Sequence, residues 1–170
     1  MDQSIDIAKS FFQQKKFEDT INTCNQILTI NKKSIEALHL ISKAFLAKRK
    51  AEDARLHLIQ AINIKTDNYE LLKDIGNSFQ ALGDTEKAKD CYTKAISINN
   101  VYAPALTNLG TLELNSGNHQ KGLSLLIKAT QSDPQLVPAW INLANGFMKT
   151  GKAKEAETAC NTSIALNPNL

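Results

Sequence analysis

The sequence predicts an all-α chain built from five copies of one helical hairpin, and three observations predict it. The 170 residues divide into five rows of 34, the period of a helix-turn-helix repeat. Rows starting at Met1, Ile35, Tyr69, Ala103 and Val137 align into columns. Position 7 is Ile7, Ile41, Ile75, Leu109 and Leu143, and position 8 is Ala8, Ser42, Gly76, Gly110 and Ala144. The helix breakers keep the same period: Gly83, Gly117 and Gly151 fall at position 15, Pro104 and Pro138 at 2, Pro134 and Pro168 at 32. Each row is therefore expected to hold a helix A over about positions 2 to 14 and a helix B over about 18 to 31.

The rows justify their elements in order. Row 1 (1–34) and row 2 (35–68) carry Lys15 and Arg49 where a turn glycine is expected, so their register rests on the columns alone. Row 3 (69–102) is the most regular, with Leu72, Ile75, Gly76, Phe79, Gly83, Ala88, Tyr92 and Ala95. Its Gly83 suits a left-handed helix stop, and Asp84 follows as an N-cap candidate for helix B. Row 4 (103–136) opens with Pro104 in a first helical turn and pairs Gly117 with Asn118, a second N-cap candidate. Row 5 (137–170) repeats the plan with Pro138, Trp140 and Gly151. Small residues at 8, 20 and 27 let helices approach while large ones at 4, 7, 11 and 24 fill between them. The five rows are read as a single domain over 1–170.

Composition narrows the function. With 42% hydrophobic and 22% charged residues the chain is neither disordered nor membrane-spanning. A net charge of +3 is too weak to argue for nucleic acid or a membrane surface. Three cysteines, an odd number, imply no disulfide framework, and MDQSIDIAKSFFQQKKF holds no signal or membrane segment. A cytoplasmic location is expected.

The columns resemble the tetratricopeptide repeat family: a large residue at 4, Leu-Gly at 7 and 8, an aromatic at 11, Ala at 20, an aromatic at 24, Ala at 27 and Pro at 32. Trp140 stands at the family's tryptophan position. The resemblance implies a right-handed superhelical α-solenoid of five hairpins, its A helices lining a concave surface that binds a protein or peptide partner.

Helical geometry supplies the lining. If 4, 7, 8 and 11 face helix B, then 2, 5, 6, 9, 12 and 13 form the opposite stripe. In rows 1 and 2 that stripe includes Asp2, Asp6, Lys9, Phe12, His39, Leu40, Lys43 and Leu46. Row 3 offers Lys73, Asp74, Asn77, Gln80 and Ala81; row 4 offers Thr107, Asn108, Thr111 and Leu114; row 5 offers Asn142, Asn145, Met148 and Lys149. The first half is charged with both signs and the second is neutral and amide-rich. Amides both donate and accept, so Asn77, Asn108, Asn142 and Asn145 suit an extended peptide backbone. Position 12 is apolar in four of five rows and offers a strip for partner side chains.

Two finer resemblances bear on the ligand. Lys73, Asn77 and Asn108 match a family clamp for a C-terminal carboxylate, but Pro138 and Asn142 replace its remaining Lys and Arg. Asn108 and Asn142 also match the asparagine ladder of protein O-GlcNAc transferases, which implies an alternative role as the recruiting arm of a larger glycosyltransferase-type enzyme. A third expectation is self-association, because row 5 ends at Leu170 without a polar capping helix.

No catalytic, metal or cofactor site is expected. Cys24 and Cys160 share core position 24 and are expected as buried fillers, with Cys91 beside that column. The histidines His39, His57 and His119 stand at unrelated positions, and His39, alone on the stripe, is expected to be solvated. Glu113 is an anomaly in a column otherwise Phe. It is read as snorkelling, pairing with a cation, or weakening row 4.

Overall fold

The computed structural model describes residues 2–168. Met1 and Leu170, the outer limits of rows 1 and 5, and the side chain of Asp2 lie outside what is described. Ten helices are present among the described residues: α1 (Asp2–Gln13), α2 (Phe17–Ile30), α3 (Ile35–Ala47), α4 (Ala51–Ile62), α5 (Tyr69–Ala81), α6 (Thr85–Ile98), α7 (Ala103–Asn115), α8 (His119–Ser132), α9 (Val137–Lys149) and α10 (Ala153–Leu166). Odd-numbered helices are the A helices and even-numbered ones the B helices. They pack as two compact units, Met1–Cys91 and Tyr92–Leu170, with the division inside α6.

All five A helices end in the same way. The N–H at position 16 (Lys16, Lys50, Asp84, Asn118, Lys152) donates to the carbonyl at position 11, always at 2.9 Å. The N–H at position 15 donates to the carbonyl at position 12 at 3.0–3.2 Å. This bond pair is the Schellman motif, which holds its position-15 residue left-handed. Gly83, Gly117 and Gly151 supply φ of +74°, +84° and +73°, but Lys15 and Arg49 are held at +60° and +58°. The turn thus forms without glycine, at a cost of about 1–2 kcal/mol per residue.

In the first unit, α1 packs on α2 and α3 on α4, while α3 also covers both α1 and α2, and α5 covers α3 and α4. Each A helix therefore lies beside the preceding A helix and seals the preceding B helix. Cys24 and Ile21 from α2 are buried against Ala37, Leu40, Ile41 and Ala44 of α3. Ser34 and Asn68 cap α3 and α5 by accepting from the N–H of Ala37 and Leu71. Asp84 caps α6 as expected, accepting from the N–H of Lys87 at 3.4 Å. Hydrogen bonding from Lys87, with Arg55 close by, holds the Asp84 carboxyl below its ordinary value.

The second unit repeats the scheme with α7 on α8, α9 on α10, and α9 covering α7 and α8. Here the approach is closer. A Cβ on Gly122 would stand 2.8 Å from the Gly110 carbonyl oxygen and 2.6 Å from Leu114 Cγ. Pro104 and Pro138 occupy first turns as expected. Trp140 is half-buried, its indole N–H donating to the Pro134 carbonyl at 2.9 Å.

Three expectations are corrected, for Asn118, Cys160 and Ile7, and one of the alternatives for Glu113 is selected. Asn118 precedes α8 but does not cap it; its amide donates to Glu113 at 2.6 Å. Lys121 donates to the other Glu113 oxygen at 2.7 Å, so the anomalous carboxylate is 3% exposed yet paired with a cation. Cys160 is exposed while Cys24 is buried, because position 24 is sealed by the next A helix and α10 is the last helix described. Ile7 is 51% exposed, whereas Ile41 in the same column is buried against α2, the B helix before its own; α1 is the first helix described.

Candidate functional site

The expected stripe is present in each unit, but its flanks are seams. Within the first unit position 5 of α3 (His39) meets position 10 of α5 (Ser78), and within the second position 12 of α7 (Leu114) meets position 10 of α9 (Gly146). Positions 6, 9 and 13 stay accessible between the seams, apart from Leu40, which is buried in the α2–α3 core.

In the first unit α1, α3 and α5 enclose a cavity of about 270 Å³ lined by Phe12, His39, Lys43, Leu46, Asp74, Asn77, Ser78 and Ala81. All but Ser78 belong to the expected stripe. At its floor the His39 imidazole Nε2 lies 3.2 Å from Ser78 Oγ, whose hydroxyl donates to the Asp74 carbonyl at 3.2 Å. The imidazole tautomer sets which of the two donates in the His39–Ser78 contact. His39 is thus a buried seam residue rather than a solvated one, 7% exposed. Burial, reinforced by the Lys43 charge, lowers its pKa to about 4, so it is neutral at physiological pH. Ser78 escaped the sequence reading because position 10 was assigned to no face; a small polar residue there is the only available signal.

The cavity rim is charged. Lys73 Nζ pairs with Asp74 at 2.6 Å, and outside the cavity Lys9 pairs with Asp6 at 3.5 Å. Lys43 is different. Its ammonium lies over the Phe12 ring, 5.0 Å from the centroid, in cation–π contact, and it forms no ion pair among the described residues.

The second unit presents a flatter stripe. Asn108 and Asn142 are half-buried at position 6, Asn145 is exposed at position 9, and Met148 is 63% exposed. Asn142 and Asn145 make no hydrogen bond to other described residues. Thr111 is half-buried and its hydroxyl donates to the Thr107 carbonyl at 2.8 Å, leaving only its acceptor lone pairs. Leu114 departs from expectation. It is 4% exposed and packs against the bare backbones of Gly122 and Gly146, where a Cβ on Gly146 would come within 2.8 Å of Leu114 Cδ1. The space left by two glycines draws it into the core, so it lines no groove. Lys149 Nζ bridges to Asn115 at 2.8 Å across the α7–α9 seam.

No group of three or more potential metal ligands occurs among the described residues, and no described helix is long and apolar enough to cross a membrane. Cys24, the most enclosed thiol, is pushed up to about 12 by burial, which removes it from nucleophilic chemistry.

The repeat and the paired A helices define a class. Segments 70–102 and 137–170 match the tetratricopeptide repeat profile. Structures of the same arrangement include MamA, with 20% identity, TM-score 0.81 and 95% of each chain covered. They also include YrrB, described as a tetratricopeptide-repeat protein with an unusual peptide-binding site, at 17% identity and TM-score 0.78, covering 98% of this chain and 86% of that one. PilF of Pseudomonas aeruginosa matches at 15% identity and TM-score 0.84, covering 98% and 76%. No curated protein sequence matches the chain. At these identities the likeness shows the fold, an all-α helical solenoid. Two of the five rows thus match the tetratricopeptide repeat profile, and the fold is that of tetratricopeptide repeat structures.

Proposed function

We propose that the chain is a non-catalytic protein-interaction scaffold whose A helices bind an extended partner peptide. The observation that carries this reading is the accessible strip at positions 6 and 9, where Asn142 and Asn145 keep donors and acceptors unspent. Amides of this kind pair with a peptide backbone without demanding a particular sequence. Among the described residues no three potential metal ligands group together, and a cytoplasmic setting suits the three free thiols.

The test is selection of random dodecapeptides displayed on phage, scored on wild type and on the Asn108→Ala, Asn142→Ala variant. Recovered peptides should bind the variant about tenfold or more weakly, the loss of roughly two hydrogen bonds. Peptides indifferent to that variant and mapped by NMR to the B helices would overturn the reading.

The outer faces of α1 and α10 favour a second reading. Ile7, Cys160 and Ile164 are exposed there, with Ile7 at 51% and Ile164 at 52%, although Ile7 and Cys160 belong to columns buried elsewhere. A second copy stacked on these faces would bury them. Sedimentation that stays monomeric at millimolar concentration would exclude it.

A further inference from the structure

The A-helix stripe of the first unit holds an open-mouthed cavity with a surplus charge, and this bears on what a partner must look like. One wall, from Phe12, Leu46 and Ala81, is apolar. The volume of about 270 Å³ is several times the roughly 30 Å³ a water occupies, enough for one large side chain. The floor offers nothing charged, since His39 is neutral and hydrogen-bonded to Ser78. At the rim Asp74 is neutralised by Lys73 at 2.6 Å, while among the described residues Lys43 has only the Phe12 ring. The surplus charge of the cavity is therefore one cation, set against an aromatic wall.

We propose that this cavity is the specificity pocket of the chain, taking a large apolar side chain of a partner peptide that carries a carboxylate residue beside it. The apolar side chain packs on Phe12, Leu46 and Ala81, and the carboxylate meets Lys43, with Asn77 at the same helical position on the neighbouring A helix. The ring behind Lys43 restricts the ammonium before the ligand arrives, which lowers the ordering cost of the ion pair. A cation beside an apolar wall discriminates against basic partners as well as attracting acidic ones.

This inference rests on the peptide-binding reading and can fail separately from it. The probe is a displayed dodecapeptide library with its central pair fixed as Phe-Glu, Phe-Gln, Phe-Lys or Ala-Glu and every other position random. On wild type, Phe-Glu should be recovered at least about tenfold over Phe-Lys, in line with one charge-assisted hydrogen bond. Lys43→Glu should reverse that order, and Ala81→Trp, which fills the cavity, should erase the preference for Phe-Glu over Ala-Glu. Residues 43 and 81 are both exposed, and matching circular dichroism would confirm that the variants fold. If peptides are recovered and remain sensitive to Asn108→Ala, Asn142→Ala, but all four centres are equal or the Phe-Glu preference survives Lys43→Glu, the pocket assignment is wrong and the scaffold reading stands. If no peptide is recovered, both are wrong.

Discussion

In the first unit the A helices α3 and α5 are joined by a side-chain hydrogen bond, His39 to Ser78; in the second, α7 and α9 are joined by Leu114 lying on the bare backbone of Gly146. Position 10 is small in both, Ser78 and Gly146, yet the consequences differ. A polar seam needs room for its donors and acceptors, and the room opens as a cavity with Lys43 and Asp74 at its rim. A glycine seam draws an aliphatic side chain inward, closes the groove floor and leaves the amides of Asn142 and Asn145 at the surface. The difference teaches that the hairpin sets where the stripe lies, while the seam residue sets whether it is pocketed or flat.

The largest expected effect lies in the glycine contact of the second unit. Gly122→Val places side-chain atoms where even a Cβ would meet the Gly110 carbonyl at 2.8 Å. A backbone oxygen cannot rotate away as a side chain can, so α7 and α8 must separate. Overpacking of this kind costs about 3 kcal/mol, read as a fall in the urea midpoint. The change at the same position in the first unit, Ala54→Gly, lowers helix propensity and removes a buried methyl, and should cost only about 1–2 kcal/mol. Equal losses would break the claim that the two units are packed by different means.

Much of this was legible in the sequence, for reasons the residues make plain. The period placed every hairpin, and column 15 located two turns at Lys15 and Arg49 without a glycine to mark them. A helical wheel also selected seven of the eight residues lining the cavity. A wheel, however, treats one helix at a time. It cannot show that α3 touches α5 through His39 and Ser78, or α7 touches α9 through Leu114 and Gly146, so it leaves His39 and Leu114 open when both are covered. Asn118 failed for a related reason. Its cap role competes with a charge-assisted bond to Glu113, a partner that only the turn brings within 2.6 Å.

A middle-sized effect sharpens the comparison through pH. The folded pKa of His39 is lowered to about 4, chiefly by burial and then by Lys43, with Asp74 opposing and Lys73 adding slightly. An unfolded histidine titrates near 6.5. Between these values the unfolded chain binds the extra proton, so stability rises with pH and is lost as pH falls below about 6.5. By pH 5, where ordinary carboxylates remain charged, the loss should reach about 2 kcal/mol. Hydrogen exchange should show it in α3 and α5 while α7 and α9 keep their protection over the same range. His39→Gln should flatten the profile. Uniform loss along the chain would mean that the polar seam is not the acid-sensitive element.

The smallest effect has the opposite sign and tests the turns. Arg49 is exposed and left-handed at φ +58°, and no hydrogen bond or ion pair to another described residue holds its side chain. Replacing it by glycine removes a left-handed penalty of about 1–2 kcal/mol but adds unfolded-state entropy worth about 0.4–1 kcal/mol. Arg49→Gly should therefore stabilise by about 0.5–1 kcal/mol. The reciprocal change in the second unit is Gly117→Ala, where φ is +84° and an added Cβ meets nothing within 4 Å. With no steric contact to confuse the result, its cost of about 1 kcal/mol would come from the backbone alone. A loss of stability in Arg49→Gly would mean that the arginine side chain contributes more than its strained backbone costs, and the turns of the two units would then differ in kind.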